Sequence, residues 1–336
     1  MSLKAEAELA QLREQLRVAL RRASVRERRF DELREAVYQA AKQAHLAHGP
    51  APILKPPPSP KRGGKEEMAL IHLTDWQLGK KSKTFDVATC HKRIGQAMQT
   101  AVQLTDIQRA HHPVRECHIM LGGDMIEGLT VFPGQAYEVE AHLFEQQVSA
   151  AALIETSVQY ALANFQTVHV WEEIGNHGRI GRKGELPHGD NHDRMAYHLA
   201  RARLVDVYPE KRLVWHPWAG GLGTPVDVGN YKALLMHGDE IKSFGGNVPA
   251  YGILKKITAF ASGVLDPFQD AYMGHFHTPM MLTMPNANRI WVTGSPESDN
   301  EFAKEFMAAV GRPSQRLNFV EPDKGRVTSE HVLWLT

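Results

Sequence analysis

The chain has 336 residues and a formal net charge of +1, so its overall charge predicts no anionic partner and any basic surface must be local. With 43% hydrophobic and 23% charged residues, the composition is that of a globular protein. Two cysteines, Cys90 and Cys117, exclude a disulfide framework and a thiolate metal site. Because the sequence shows neither a long apolar run nor an apolar N-terminal signal, we expect a cytoplasmic protein without a membrane span.

Residues 1–48 carry a seven-residue apolar repeat in a segment without Gly or Pro. Position a is occupied by Leu9, Leu16, Ala23, Phe30 and Val37. Position d is occupied by Leu12, Ala19, Arg26, Leu33 and Ala40. Only Arg26 interrupts this seam, so the repeat predicts a coiled-coil helix and a homo-oligomer formed through residues 1–48. The alternative is one long amphipathic helix that packs on its own domain.

Residues 49–66 form a Pro-rich segment that contains Pro56-Pro57-Pro58-Ser59-Pro60. Pro donates no backbone hydrogen bond and fits neither helix nor sheet, so this composition predicts a semi-rigid linker. A third region, residues 67–336, is predicted to be the catalytic domain, because short apolar runs alternate there with helical patterns.

The domain over residues 67–336 has alternating strands and helices in its first half and mostly strands in its second. Helices are predicted over about 84–110, 138–164 and 192–204. Strands are predicted over 68–74, 117–121, 168–174, 212–216, 231–236, 271–273, 280–284, 289–293, 317–320 and 327–335. A short helix near Phe302–Val310 and a hairpin with its turn at Asp323-Lys324-Gly325 are also predicted. This pattern favours a layered α/β domain with a large, partly mixed sheet.

Five polar clusters follow predicted strands directly. They are Leu73-Thr74-Asp75-Trp76-Gln77-Leu78-Gly79, Gly122-Gly123-Asp124-Met125-Ile126-Glu127-Gly128, Gly175-Asn176-His177-Gly178, Met236-His237-Gly238-Asp239 and Gly274-His275-Phe276-His277. Loops at the carboxyl ends of strands converge in open α/β sheets, so these side chains are expected to share one site. Each cluster alone is typical of an ordinary turn or strand end, whereas all five in this context predict a functional site.

These clusters offer carboxylates, an amide and imidazoles but no thiolate, a mixture that suits Mn²⁺, Fe²⁺ or Zn²⁺. A carboxylate shared by two cations holds them about 3.5–4 Å apart. In an extended segment, His275 and His277 point to the same face and Phe276 to the other, so both imidazoles can reach one dinuclear centre. We therefore predict two divalent transition-metal ions, with Mn²⁺ favoured over Zn²⁺ or Fe²⁺.

Through these motifs the chain resembles the calcineurin-like metallophosphoesterase superfamily over about residues 70–295. Its first motif is most similar to the SbcD-type nuclease branch, whose pattern is Asp-Trp-His-Leu-Gly, and Thr293-Gly294-Ser295 resembles the Gly-Ser of that branch. The stretches after His177 and before Gly274 resemble phage and prophage phosphoesterases. The resemblance implies a layered α/β fold, a two-sheet β-sandwich flanked by helices, here preceded by the N-terminal coiled-coil helix.

The resemblance also implies a role for each position. A first metal would be held by Asp75, Gln77, Asp124 and His277. A second metal would be held by Asp124, Asn176, His237 and His275, with Asp124 bridging the two. His177 would be the catalytic histidine, and Glu127 would orient its ring. The implied reaction is in-line attack of metal-bound hydroxide on phosphorus.

The sequence departs from the family at residue 77, where Gln77 stands in place of the family's histidine. An amide oxygen is a weaker donor than a neutral imidazole, so we expect a looser first metal site. This departure also opens the alternative of a non-catalytic relative. The retained Asp124, Asn176 and His177 argue against that alternative.

The loop after the third motif, Gly178-Arg179-Ile180-Gly181-Arg182-Lys183-Gly184, is rich in Gly and cations. Arg179, Arg182 and Lys183 are predicted to bind the phosphates that flank the scissile one, although a flexible loop without contacts is the alternative. The leading hypothesis is therefore a phosphodiesterase that acts on nucleic acid, DNA first of all, as a nuclease. Two alternatives remain: a phosphomonoesterase or small-molecule phosphodiesterase that uses the same metals, and a metal-poor scaffold or binding module.

Overall fold

The computed structural model describes residues 51–57, 64–241, 248–297 and 312–336, together with Glu35, Gln39, Gln43 and Ala47. The chain divides into two units, Met1–His48 and Gly49–Thr336. The predicted coiled coil and the predicted helix near residues 302–310 lie outside the described residues, apart from those four. In the Pro-rich segment, Tyr208 donates its hydroxyl hydrogen bond to the carbonyl of Pro52 at 2.6 Å and accepts one from the amide of Leu54. No helix in the described part of the chain is both long and apolar enough to cross a membrane.

Four α-helices and eleven strands make up the described part of the second unit. The helices are α1 (Val87–Gln108), α2 (Leu143–Asn164), α3 (His192–Leu204) and α4 (Ala250–Ala259). The first six strands are β1 (Glu67–Leu73), β2 (Val114–Gly122), β3 (Thr167–Glu173), β4 (Leu213–His216), β5 (Thr224–Val228) and β6 (Tyr231–Met236). The others are β7 (Asp270–Met273), β8 (Met280–Thr283), β9 (Arg289–Val292), β10 (Ser314–Glu321) and β11 (Arg326–Trp334).

The strands form two sheets. The first has the order β11-β10-β1-β2-β3-β4, in which β1 to β4 are parallel, and the second has the order β5-β6-β7-β9-β8, in which β6, β7 and β9 are parallel. Helix α2 contacts β3, α1 contacts β10 and β11, and α4 contacts β8. This architecture confirms the predicted layered α/β fold with two sheets flanked by helices.

Apolar residues from both sheets form the core between them. Leu70, Met120 and Trp171 of the first sheet lie in one buried cluster with Tyr272 and Trp291 of the second. Successive side chains of a strand point to opposite sides of the sheet. In β1 to β3, the side chains on the side that faces the second sheet are apolar and form this core. The core fixes the two sheets against each other, so the loops at their carboxyl ends occupy defined positions.

One predicted boundary needs correction, and two elements were not predicted. Helix α2 begins at Leu143 and not near residue 138, because Glu140 donates its amide hydrogen bond to Gly79 and Val139 forms a bridge with Lys80. Strand β5 and helix α4 were not predicted. The hairpin between β10 and β11 was predicted, and Gly325 at its turn has a φ of 60°, which favours glycine.

Candidate dinuclear metal centre

The five motifs follow β1, β2, β3, β6 and β7, and five of the predicted metal ligands have a left-handed backbone. These are Asp75, Gln77, Asp124, His275 and His277, with φ between 44° and 66°. Among the described non-glycine residues, only Ala287 shares this conformation. Such a backbone costs about 1–3 kcal/mol per residue and persists where surrounding contacts impose it. Here the amide of Asp75 donates to the carbonyl of Gly123, which ties the first motif to the second.

The residues predicted for the second metal lie together. Nε2 of His237 is 2.9 Å from Oδ2 of Asp124 and 3.2 Å from Oδ1 of Asn176. Nδ1 of His237 bonds the carbonyl of Gly122 at 2.9 Å, which fixes the ring so that Nε2 faces the other donors. One ligand atom each from Asp124, His237 and His275 lies within 4.8 Å of the other two.

The residues predicted for the first metal are joined by longer contacts. Nε2 of His277 is 3.4 Å from Oδ1 of Asp75 and 3.2 Å from Nε2 of Gln77. The buried Oε1 of Gln77 has no hydrogen-bond partner within the described part of the chain. Behind His277, Oε2 of Glu297 is 3.4 Å from Nδ1 of the ring, and the other oxygen of Glu297 is 2.6 Å from Nζ of Lys80. Glu297, which follows β9, and Lys80, which follows the first motif, thus hold the ring of His277 together.

Two glycines leave room for the two carboxylates. A Cβ atom at Gly175 would lie 2.1 Å from Oδ1 of Asp124, and one at Gly274 would lie 2.2 Å from Oδ2 of Asp75. Real Cβ atoms do not approach oxygen so closely, so glycine at these two motif positions is a condition for the observed geometry.

His177 is held by the loop that follows β2. Its Nδ1 is 2.8 Å from the carbonyl oxygen of Glu127 and 3.3 Å from the carboxylate oxygen Oε2 of Glu127. Its Nε2 is 3.4 Å from the amide of Gln77. Gln135, a residue that the motifs did not indicate, donates to Oε1 of Glu127 at 3.0 Å. The predicted pairing of Glu127 with His177 is therefore present in the geometry.

The charges of the carboxylates set the protonation of the histidines. Burial lowers the pKa of His177, but Glu127 and Asp124 outweigh it and raise this pKa to about 9. Burial raises the pKa of Asp124, but His237 and His177 hold it well below its usual range. Burial, followed by the charge of His237, lowers the pKa of His275 to about 4, so this imidazole is neutral at pH 7. A cation at the second site would compete with the proton that His237 shares with Asp124.

Asp193 is another residue of this region that the motifs did not indicate. Its fully buried carboxylate accepts amide hydrogen bonds from Asp124 at 2.9 Å, from Met125 at 3.0 Å and from Gly175 at 2.9 Å. It therefore ties the second motif to the third. The neighbouring Asn191 caps α3, and its side chain donates to the carbonyl of Gly175. The only signal in the sequence was its place two residues after Asn191, a residue type that often caps helices.

The basic loop lies beside the fourth motif. Arg179 and Lys183 both contact Oδ2 of Asp239, at 3.1 Å and 3.2 Å. Arg182 is exposed, and its backbone amide donates to Glu185. Asp239 thus pairs with two of the three predicted phosphate-binding cations and does not act as an acceptor for His237.

The donors present fit two divalent cations. Two carboxylates, two amides and three imidazoles meet at one end of the sheets, with an orphaned amide oxygen on Gln77 and glycine cradles around Asp75 and Asp124. Such oxygen and nitrogen donors suit Mn²⁺, Fe²⁺ or Zn²⁺. The tight group is the one around His237. Among the described residues, Asp75 and His277 belong to no group of three that is equally close.

The solved structures that are similar to this chain are distant from it in sequence. A predicted phosphoesterase of Streptococcus pneumoniae is 11% identical, with a TM-score of 0.33, and the match covers 76% of this chain and 83% of that one. Vps29 of Entamoeba histolytica, complexed with Zn²⁺, is 11% identical, with a TM-score of 0.35 and coverage of 79% and 99%. The phosphopantetheinyl hydrolase of Mycobacterium tuberculosis is 12% identical, with a TM-score of 0.30 and coverage of 69% and 91%.

No family model and no curated protein matches the chain. The similarity to the solved structures is too low to carry an argument about activity, and the resemblance to the nuclease and phage branches stays a prediction. The functional proposal therefore depends on the side chains of this chain alone.

Proposed function

We propose that the chain is a two-metal-dependent phosphodiesterase that hydrolyses phosphodiester bonds of nucleic acid. The observation that carries this proposal is the meeting of seven nitrogen and oxygen donors with a partly buried His177, which is held by a carboxylate, at the carboxyl ends of five strands. Asn176, His237 and His275 would hold one cation, and Asp75, Gln77 and His277 the other, with Asp124 between them. When bound, the cations would lower the pKa of water and stabilise negative charge on phosphoryl oxygens.

His177 supports proton transfer to the leaving oxygen. Its Nδ1 is held by the carbonyl and the carboxylate of Glu127, so the ring orientation is fixed and Nε2 faces the site. Without cations, Glu127 and Asp124 raise the pKa of His177 to about 9, so at pH 7 Nε2 carries a hydrogen that it can donate. Glu127 is fully buried, which strengthens its electrostatic effect on the ring.

The preference for a nucleic-acid substrate depends on the basic loop. Arg179 and Lys183 are close to one carboxylate oxygen of Asp239, next to His237 in the sequence, and Arg182 is exposed. A polymeric phosphodiester presents phosphates on both sides of the scissile bond, and these cations can bind the flanking ones. A small monoester has no such flanking phosphate, so this loop would add nothing to its binding affinity.

The test is a hydrolysis panel with the full chain and Mn²⁺. The substrates are single-stranded DNA, double-stranded DNA, bis-p-nitrophenyl phosphate and p-nitrophenyl phosphate, and the control is the His177→Ala chain. We expect cleavage of DNA and of the diester with little release from the monoester. Turnover of the monoester alone would replace the proposal with a phosphomonoesterase, and bound metal without any turnover would replace it with a binding module.

We also propose that the protein is a homo-oligomer through residues 1–48. The proposal depends on the heptad repeat in the sequence. Deletion of residues 1–48 is expected to lower the molar mass measured by light scattering to that of a monomer. The same oligomer before and after deletion would contradict it.

A further inference from the structure

A second cluster of imidazoles lies on the first sheet, away from the five motifs. It comprises Glu116 and His118 on β2, His169 and Trp171 on β3, and His216 on β4. His118 is in register with His169, and Trp171 is in register with His216, so the side chains stand next to one another on adjacent parallel strands. These residues precede the strand ends that carry the motifs, and the proposed phosphoesterase centre uses none of them.

The rings of this cluster are stacked. The centroids of His118 and His169 are 4.4 Å apart with an interplanar angle of 8°, and those of Trp171 and His216 are 3.5 Å apart with an angle of 2°. Nδ1 of His169 lies 3.1 Å from Nε2 of His216. If His169 donates in this hydrogen bond, its Nε2 carries a lone pair and faces the carboxylate of Glu116, whose Oε2 is 3.8 Å away.

One nitrogen in the cluster is buried without a partner. His118 is 2% exposed, and its Nδ1 accepts a hydrogen bond from Nε1 of Trp171 at 3.1 Å. Its Nε2 has no hydrogen-bond partner among the described residues. A buried polar nitrogen left unpaired is costly, and such groups point to a ligand or a functional role. One ligand atom each from Glu116, His118 and His169 lies within 4.8 Å of the other two.

We propose that Glu116, His118 and His169 form a second divalent transition-metal site, separate from the candidate dinuclear centre. Two imidazoles and one carboxylate suit Zn²⁺, Ni²⁺ or Cu²⁺ rather than Mg²⁺ or Ca²⁺. His216, through its contact with Nδ1 of His169, orients the second imidazole in the way that outer partners orient metal ligands. Glu116 and His169 are partly exposed, which gives the ion a route from solvent.

Binding requires a small rearrangement. The lone pairs of stacked rings run parallel, so the His118 ring must turn out of the stack, while His216 holds His169, for both nitrogens to face one ion. Indole only donates, so the neutral His118 ring carries its proton on Nε2. When the ring turns, the hydrogen bond from Trp171 breaks, the Nε2 proton goes to solvent and Nδ1 takes up a proton, which leaves the Nε2 lone pair for the ion. The loss of one hydrogen bond is small beside the free energy of metal ligation.

The test is the number of Zn²⁺ ions bound per full-length chain, measured by equilibrium dialysis and elemental analysis. We expect the His169→Gln chain to bind one ion fewer than the wild type, with unchanged Mn²⁺-dependent hydrolysis. The matched control is His111→Gln, which removes an exposed histidine outside the cluster and is expected to leave the count unchanged. An equal count in the wild type and His169→Gln would overturn the proposal.

A second variant covers the case in which His169→Gln does not fold. Glu116→Gln changes a partly exposed side chain at the edge of the cluster and keeps its volume. It is expected to weaken the added Zn²⁺ site at least about tenfold in a calorimetric titration, since it removes a charged ligand. Unchanged affinity in this variant would contradict the assignment of Glu116. Because hydrolysis is measured separately, this test does not depend on the proposed phosphoesterase function.

Discussion

The two halves of the candidate centre are built differently. Around His237, the donors of Asp124, Asn176 and His275 are close, and a backbone contact fixes the His237 ring. Around His277, the contacts are longer, and the weak amide of Gln77 stands where the resemblance implies an imidazole. The comparison indicates that a dinuclear centre can be preorganised for one cation and left adjustable for the other.

The largest expected effect comes from His177, which lies between the two halves. Its backbone amide donates to Oδ1 of Asp124 at 2.7 Å, and this contact survives in His177→Ala. Turnover of bis-p-nitrophenyl phosphate is therefore expected to fall roughly 10²–10⁴-fold while both cations stay bound. Steady-state kinetics with metal counts check it, and His111→Ala is the control. Loss of metal along with activity would assign His177 a role in metal binding instead.

Substitution of Asp193 is expected to have the next largest effect. This effect is confined to the preorganised half around His237. Asp193→Asn keeps the side-chain volume but replaces the charged carboxylate, which accepts three amide hydrogen bonds from the second and third motifs, with a neutral amide. We expect kcat to fall roughly 10–100-fold with KM little changed, and Mn²⁺ affinity to fall similarly, as for outer partners of metal ligands. Asp190→Asn, on the same loop, is the matched control. A loss of folded protein at unchanged kcat would show a structural role alone.

Gln77→His tests the adjustable half, around His277. An imidazole in place of the amide is expected to tighten the weaker Mn²⁺ site about tenfold or more and leave the tighter site unchanged. Titration calorimetry that resolves two binding events measures this. If the affinity of the tighter site changes, or if neither site changes, then residue 77 is not a ligand of the weaker one.

The last expected effect is on the free energy of unfolding and not on activity, and it comes from His72 beneath the site. Burial and then the charge of Arg316 lower the pKa of His72 to about 3, against 6.5 for an exposed histidine. A lowered folded-state pKa gives stability that is present above pH 6.5 and is lost as the pH falls from 6.5 towards 3. The loss is at most about 1.4 kcal/mol for each pKa unit. Urea unfolding between pH 7 and 4 should show a shallower pH dependence in His72→Gln, and equal slopes would exclude His72 as the cause.

Much of the site follows from local sequence. Asp75, Asp124 and His177 were predicted because each lies in a short motif directly after an apolar strand, and parallel strands bring such loops together. Their spacing along the chain does not matter, since the sheet supplies the geometry. The cap at Asn191 and the turn at Gly325 were equally predictable, because turn and cap preferences act within a few residues.

What could not be predicted involves contacts between segments far apart in the chain. Asp193 meets Asp124 over 69 residues, and Asp239 meets Arg179 over 60. No local pattern distinguishes Asp193 from any polar residue at the start of a helix. Asp239 lies two residues after His237, and only the tertiary structure shows that it pairs with the basic loop.

The amino-acid sequence by itself determined the layered fold, the identity of the candidate donors and the weak point at Gln77, because strand periodicity and motif chemistry are local properties. The tertiary structure decided which donors converge tightly, which cations of the basic loop are paired and where the imidazoles of His118 and His169 meet. These depend on strand order and register, which the packing of the two sheets selects and which no single segment encodes.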